Sequence, residues 1–274
     1  MASYESLAPA STDARDAKLV IREVLPGMVT FSLPFVSFEA ARQANGQERF
    51  GWIPIGGRST AIKLPEGLFV YVSHPLTTAT QEALQKLGGP VKWLVTPDGE
   101  HGMNIKAWSE AFPDAKPIGV ERFAREKPDV KWAGLFGAGG ENKTYGFENE
   151  ISLHNVSAHR NDELVAIHHP TGTLLEADLL FNLPPTEQYS RSHIPGWFRV
   201  LLGSGSSMSP GGTLHQKLAG GLFEDKEKAK REMAPIFEAK WDRIIPCHGD
   251  VIESGGKAKW NEIWGKYAPS VSVE

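Results

Sequence analysis

Twice along its 274 residues the chain runs through one succession of elements: hairpin strands, a helix, a nearly unbroken apolar strand and a second helix. That succession constrains the fold more than any single motif does. Each half carries a sheet with helices on one side only, and two such sheets bury their bare faces by packing against each other. In the first half, LVIREVLPGMVTFSLPF alternates apolar and polar residues around Pro-Gly, which predicts strand, turn and strand. RSTAIKLPEGLFVYVS repeats the design and ends in LFVYV, apolar on both faces as a buried strand requires. TTATQEALQKLGG has helical spacing, a threonine-rich start and a Gly-Gly stop, predicting a helix over about 78–87. VKWLV is again a strand, IKAWSEAFPDA an amphipathic helix ended by Pro113, PIGV a short strand and VERFAREKPDV a short helix, while GLFGAGG at 134–140 reads as a loop.

The second half follows the same order. ISLHNVS and the residues through TLLEADLLF form strands turning at Pro170-Thr171-Gly172, EDKEKAKREMAPIFEAKW is a charged amphipathic helix, DRIIPCHGDVI a strand entering a turn, and GGKAKWNEIWGKYA a closing helix. The expected architecture is α/β, a four-layer αββα sandwich in one domain over 18–274. Residues 1–17 are expected as a flexible arm. Residues 183–220, with their prolines, glycines and the tract GSGSSMSPGG, read as a long loop or lid.

Charge narrows the partners. Twenty-nine basic against 33 acidic residues give a net charge of −4, so there is no electrostatic footprint for nucleic acid. No stretch reaches the roughly 18 apolar residues of a membrane span, and MASYESLAPASTDARDAK lacks the apolar core of a signal peptide. One cysteine, Cys247, excludes an internal disulfide and agrees with a reducing compartment. The expected setting is cytoplasmic and the expected partner a small-molecule substrate; oligomeric state is not encoded legibly.

Four polar residues stand at strand ends: His101 after VKWLV, His159 after ISLHNVS, Asp178 within TLLEADLLF and His248 after RIIPC. Loops from neighbouring strands converge in a sandwich, so three histidines and a carboxylate can share one site. Asp178 is the most informative, because a carboxylate in an apolar strand is costly unless paired or coordinated. Taken singly, a histidine in such a turn is an ordinary hydrogen-bonding residue. Cys247 and His248 are adjacent and point to opposite faces of a strand, which argues against a nucleophile pair. His168 and His169 read as solvated hairpin residues, and His74, His154 and His215 have no partner motif.

On these residues the chain resembles the metallo-β-lactamase-like hydrolases. There a strand enters a T-H-x-H-x-D-H turn, a later Gly-His follows a strand, a strand ends in Gly-Asp, and a last strand leads to His-Gly. Here Thr96 to Gly102, Ala158-His159, Ala177-Asp178 and His248-Gly249 stand in the same order. TPDGEHGMNIKAWSEAFPDA is similar to a branch whose histidine motif is degenerate, Pro-Asn-x-x-His-His before a helix with Trp and Phe-Pro. The resemblance spans about residues 18 to 266. It implies the αββα fold and places Pro97, Gly99 and Gly102 where the family has histidines, and His101 where it has the aspartate.

What the resemblance implies is a reduced site. His101, Asp178 and His248 would bind one divalent metal, with His159 a fourth ligand or an outer partner. Imidazole and carboxylate suit zinc first, and also iron or manganese. Such a site points to hydrolysis of a small apolar ester, lactone or thioester, with Asp98 or Glu100 moving the proton and Asp178 at the reacting centre. Trp197, Phe198 and His193 would line the substrate pocket. The open alternatives are a metal-free or single-metal lyase, isomerase or cyclase, and a ligand-binding descendant without catalysis.

Overall fold

The computed structural model describes residues 3–34, 55–194, 210–212, 215, 223 and 225–269. Among the described residues, seven strands in sequence order make the first sheet: β1 (Val20–Leu25), β2 (Met28–Leu33), β3 (Gly57–Leu64), β4 (Gly67–Tyr71), β5 (Val91–Val95), β6 (Lys116–Val120) and β7 (Gly134–Phe136). Pairing is antiparallel from β1 to β4 and parallel from β4 to β7. The second sheet has four strands in the order β11-β10-β9-β8, with β8 (Ile151–Val156), β9 (Glu163–His168), β10 (Thr173–Glu176) and β11 (Arg243–Pro246).

The alternation of side chains along each strand sorts the core into three layers. In β9, Leu164 and Ala166 join Ile62, Phe69, Trp93 and Ile118 of the first sheet between the sheets, whereas Val165 and Ile167 face outward. That outer layer is covered by α5 (Lys226–Glu238) and α6 (Gly256–Trp264) through Met233, Ile236, Trp260 and Trp264. On the far side, Val70, Leu94 and Phe31 pack under α2 (Thr78–Leu87) and α3 (Ile105–Ala111) through Leu84 and Trp108. Each fully buried side chain of this size stabilises the fold by roughly 1.5–3 kcal/mol. The expected αββα sandwich is thus what forms, and α2 has the predicted bounds, with the Thr77 hydroxyl accepting from the Thr80 N–H.

Two segments differ from expectation. The first is the arm: Tyr4–Ala10 forms a helix, α1, whose Tyr4 and Ala8 join the outer core, and buried Asp16 accepts from Ser11 Oγ at 2.7 Å and from the Ala79 N–H at 2.9 Å. Its few apolar residues cover one face of α2, which anchors a polar segment that has no long periodic run. The second is GLFGAGG: Gly134–Phe136 pairs with β6 as the edge strand, too short and glycine-rich to be read as one. VERFAREKPDV yields one helical turn, α4 (Phe123–Glu126). No helix among the described residues is long and apolar enough to cross a membrane.

Candidate metal centre

The turn after β5 is built around Asp98. Its Oδ1 accepts from the backbone N–H of Glu100 at 2.7 Å and of His101 at 2.9 Å, an Asx turn that puts the chain into position, and from His101 Nδ1 at 2.7 Å. The turn is also tied to the loop after β8 and to the start of β9: Gly99 N–H donates to Asn161 O and Leu164 N–H to Pro97 O, each at 2.8 Å. Held this way, His101 directs Nε2 across the junction of the two sheets.

There it meets residues from the second sheet. His248, two residues beyond β11, lies with Nε2 at 3.1 Å from His101 Nε2 and at 3.2 Å from Asp178 Oδ1. Its Nδ1 donates to Gly56 O at 2.7 Å, and Phe181 stacks flat on its ring at 5.3 Å between centroids. Asp178, two residues beyond β10, is fixed by Asn161 Nδ2 donating to Oδ2 at 2.6 Å and by its own N–H donating to Glu163 Oε2 at 2.9 Å. One ligand-type atom from each of His101, Asp178 and His248 falls within 4.8 Å of the others, and among the described residues this is the one such group.

The hydrogen bonds decide what the three atoms can do. A carbonyl oxygen accepts and does not donate, so His248 Nδ1 carries hydrogen; Asp98 Oδ1 takes three donors, so His101 Nδ1 carries hydrogen too. In their neutral forms both rings therefore turn lone pairs towards each other and towards a carboxylate oxygen. Three acceptors at this spacing need a cation among them, a metal ion or a proton. Outer partners on all three groups, a carboxylate, a carbonyl and an amide, are what orients metal ligands. The donor set fits one cation of the zinc, iron or manganese kind.

Electrostatics agrees. Burial alone would lower the His101 pKa, but the carboxylate of Asp98 and then that of Asp178 outweigh it and lift it to about 9. Burial and the neighbouring Asp178 charge raise Asp98 to about 6, against the pull of His101. Burial opposes ionisation of Asp178 as well, yet its contact with His248 and the charge of His101 hold it well below the usual carboxylate range.

The other expected residues are distributed differently. His159 is outside the three-residue group; it is buried, its Nδ1 accepts from the Asn161 N–H at 3.4 Å, its ring meets Phe223 edge-on, and burial lowers its pKa to about 4. Its Nε2 is buried with no hydrogen-bond partner among the described residues. Asp98 sits behind His101, whereas Glu100 turns to the surface and pairs with Arg122 at 2.7 Å. His193 is exposed; Trp197 and Phe198 lie outside the described residues. The start of the expected lid is anchored: Leu183, Tyr189 and Ile194 form a small apolar cluster, and Gln188 is fully buried. His168, expected in solvent, is buried with Nδ1 at 2.7 Å from Thr171 Oγ1, and His74 lies in the core between Ser59 and Thr80 hydroxyls. At Gly102 a Cβ would come within 2.4 Å of the Phe123 ring, so the packing there leaves no room for a larger residue.

Sequence reasoning passed over Gly56, Arg58, Asn161, Glu163 and Gln188. The sequence signal available for Glu163 was a charge at the head of the apolar run LVAI; Arg58, beside Gly57, Ser59 and Thr60, gave none.

No protein-family model matches the chain, and no curated protein matches it. Solved structures match in shape. The metallo-β-lactamase FIM-1 from Pseudomonas aeruginosa, in a mono-zinc form, aligns with TM-score 0.56 and 12% identity over 91% of this chain and 94% of that one. A metallo-β-lactamase from Pontibacter korlensis aligns with TM-score 0.54 and 11% identity over 91% and 98%. One from Hirschia baltica gives 0.52 and 11% over 92% and 99%. With sequence pattern, layer order and these alignments in agreement, the chain has the metallo-β-lactamase fold.

Proposed function

We propose that this protein is a metal-dependent hydrolase with a single divalent cation, zinc first, held by His101, Asp178 and His248. The observation that carries the reading is the convergence of three acceptor atoms whose far sides are all engaged by Asp98, Asn161 and Gly56. A cation held there would bring the pKa of water towards about 7 and polarise a carbonyl, the chemistry of ester, lactone or thioester hydrolysis. The chain's own contribution is orientation. Asp98 fixes the His101 ring, Asn161 leaves Asp178 one oxygen directed to the site, and Phe181 covers the His248 ring.

Asp98, whose pKa burial and the Asp178 charge raise in the metal-free chain, is the residue proposed to move the proton, and Glu100, paired with Arg122, is assigned a structural role. Trp197 and Phe198, in a segment rich in glycine and proline, are the basis for a small and fairly apolar substrate, with His193 alongside. His159 is proposed as an outer partner rather than a ligand, since the bond to the Asn161 N–H uses Nδ1 as acceptor and leaves hydrogen on Nε2. The setting is proposed as cytoplasmic, with no nucleic-acid partner, in line with the net charge of −4.

A second reading has its own support. The chain of contacts Asp98, His101, His248, Asp178 is also satisfied by a proton between the two rings, as suits a metal-free lyase, isomerase or cyclase. Turnover of aryl esters, lactones and acyl thioesters, measured before and after chelation and after adding back zinc, iron or manganese, separates the two. The hydrolase reading expects activity that chelation removes and metal restores. Absence of turnover of every substrate in every metal state sinks it.

A further inference from the structure

The two histidines of the centre arrive from different sheets: His101 follows β5 of the first and His248 follows β11 of the second. Something must set one sheet against the other at this point, and the residues that touch the His248 loop identify it. Arg58 lies on β3, paired in register with Ser32 of β2, and its side chain is 1% exposed. Nη1 donates to Pro246 O at 2.8 Å and to Gly249 O at 2.6 Å, spanning His248 from both sides, while Nε donates to Ser32 Oγ at 3.0 Å. Gly56, two residues earlier, supplies the carbonyl that holds His248 Nδ1.

The loop is gripped at its other groups as well. Gln188 donates to Cys247 O at 2.8 Å and accepts from the Gly249 N–H at 2.9 Å, and Asn182 N–H donates to His248 O at 3.2 Å. Every carbonyl from Pro246 to Gly249 therefore has a donor, two of them from one guanidinium. A buried cation is costly in a sheet that an apolar residue would fill. Glu187, at 3.2 Å from Arg58 Nη2, balances the charge, and Arg22 holds Glu187 in turn at 2.7 Å. Neutralised in this way, Arg58 does not oppose a second cation nearby.

We infer that Arg58 is a positioning residue for the metal centre, locking the His248 loop to β3 so that the rings of His101 and His248 keep their separation across the two sheets. The inference rests on the proposed single-cation site and extends it to a residue that touches none of the ligand atoms. The planar guanidinium serves two carbonyls from one nitrogen and two further groups from the others, a geometry that lysine's ammonium does not reproduce.

The test is titration of the full chain, freed of metal, with Co²⁺, reading affinity and the visible d–d spectrum, alongside thermal unfolding of the metal-free protein. Arg58→Gln and Arg58→Lys are expected to weaken Co²⁺ binding about 10- to 100-fold, the range for partners outside the ligand set, and to change the d–d bands. If Arg58→Gln does not fold, Arg58→Lys and Glu187→Gln, which loosens the guanidinium without removing it, carry the same readout. Variants that unfold at lower temperature but bind Co²⁺ with unaltered affinity and spectrum would show a purely structural residue and overturn the inference. Failure of the unaltered protein to bind Co²⁺ overturns the single-cation reading itself, and this inference with it.

Discussion

His101 and His248, 147 positions apart, face each other through their Nε2 atoms at 3.1 Å, each ring held from behind through Nδ1 by an acceptor. Neither ring can turn to relieve the contact without breaking its rear bond. The pair is poised for a cation between lone pairs.

Replacing a group that supplies one of the three atoms should therefore act mainly on metal affinity. His101→Ala and Asp178→Asn are expected to weaken binding of zinc by more than about 100-fold, beyond the effect typical of outer partners. Competition with a chromophoric chelator measures this; a change of less than about threefold in both variants would remove these residues from the ligand set.

Asp98 has a distinct signature, because it acts through His101. Asp98→Asn is expected to lower zinc affinity about 10- to 100-fold and to bring the His101 pKa down from about 9, as the carboxylate that lifts it is lost. Imidazole resonances followed by NMR across pH 5 to 10 report it. A His101 titration unmoved in the variant would contradict the assignment.

The pH dependence of the metal-free protein has a defined sign. His101 has a folded pKa of about 9 against an ordinary 6.5, so its charged form stabilises the fold fully below pH 6.5, and that contribution disappears as pH rises through 9. The shift corresponds to about 3 kcal/mol at most. Urea unfolding of metal-free protein at pH 7 and 9.5 is expected to show stability falling with pH, and His101→Ala to flatten the slope. Stability rising over that interval would refute the charge assignment.

Gly249 is tied to its residue type by geometry. Its φ is +97°, and a Cβ there would lie 2.2 Å from Asn182 O, with backbone on both sides of the clash. Gly249→Ala is expected to destabilise the protein by about 3 kcal/mol and to displace His248. Chemical denaturation reads the first effect; a loss below about 1 kcal/mol would mean the loop adjusts freely.

Much of this was legible in the chain. LFVYV, VKWLV and the strands around TLLEADLLF are apolar on both faces because layers cover both faces, and their turns carry the glycines and prolines that end them. His101, Asp178 and His248 were legible because each stands within or shortly after such a run. Arg58, Gln188 and Asn161 were not, since the groups they bond are brought to them by tertiary closure: Arg58 meets Gly249 across 191 positions, and Asn161 reaches the Asp178 carboxylate. Glu163 stands at the head of β9, next to the polar Asn161-Asp162, and Glu100 was misleading because the partner that draws it away, Arg122, stands 22 positions downstream. The anchoring of α1 was equally hidden, being a matter of what α2 leaves uncovered.

The most direct measurement is the metal content of the purified protein, prepared without chelator, beside His101→Ala and His248→Ala. The account predicts close to one zinc, iron or manganese per chain in the unaltered protein and little in either variant. No stoichiometric metal in the unaltered protein, or undiminished metal in both variants, would contradict it.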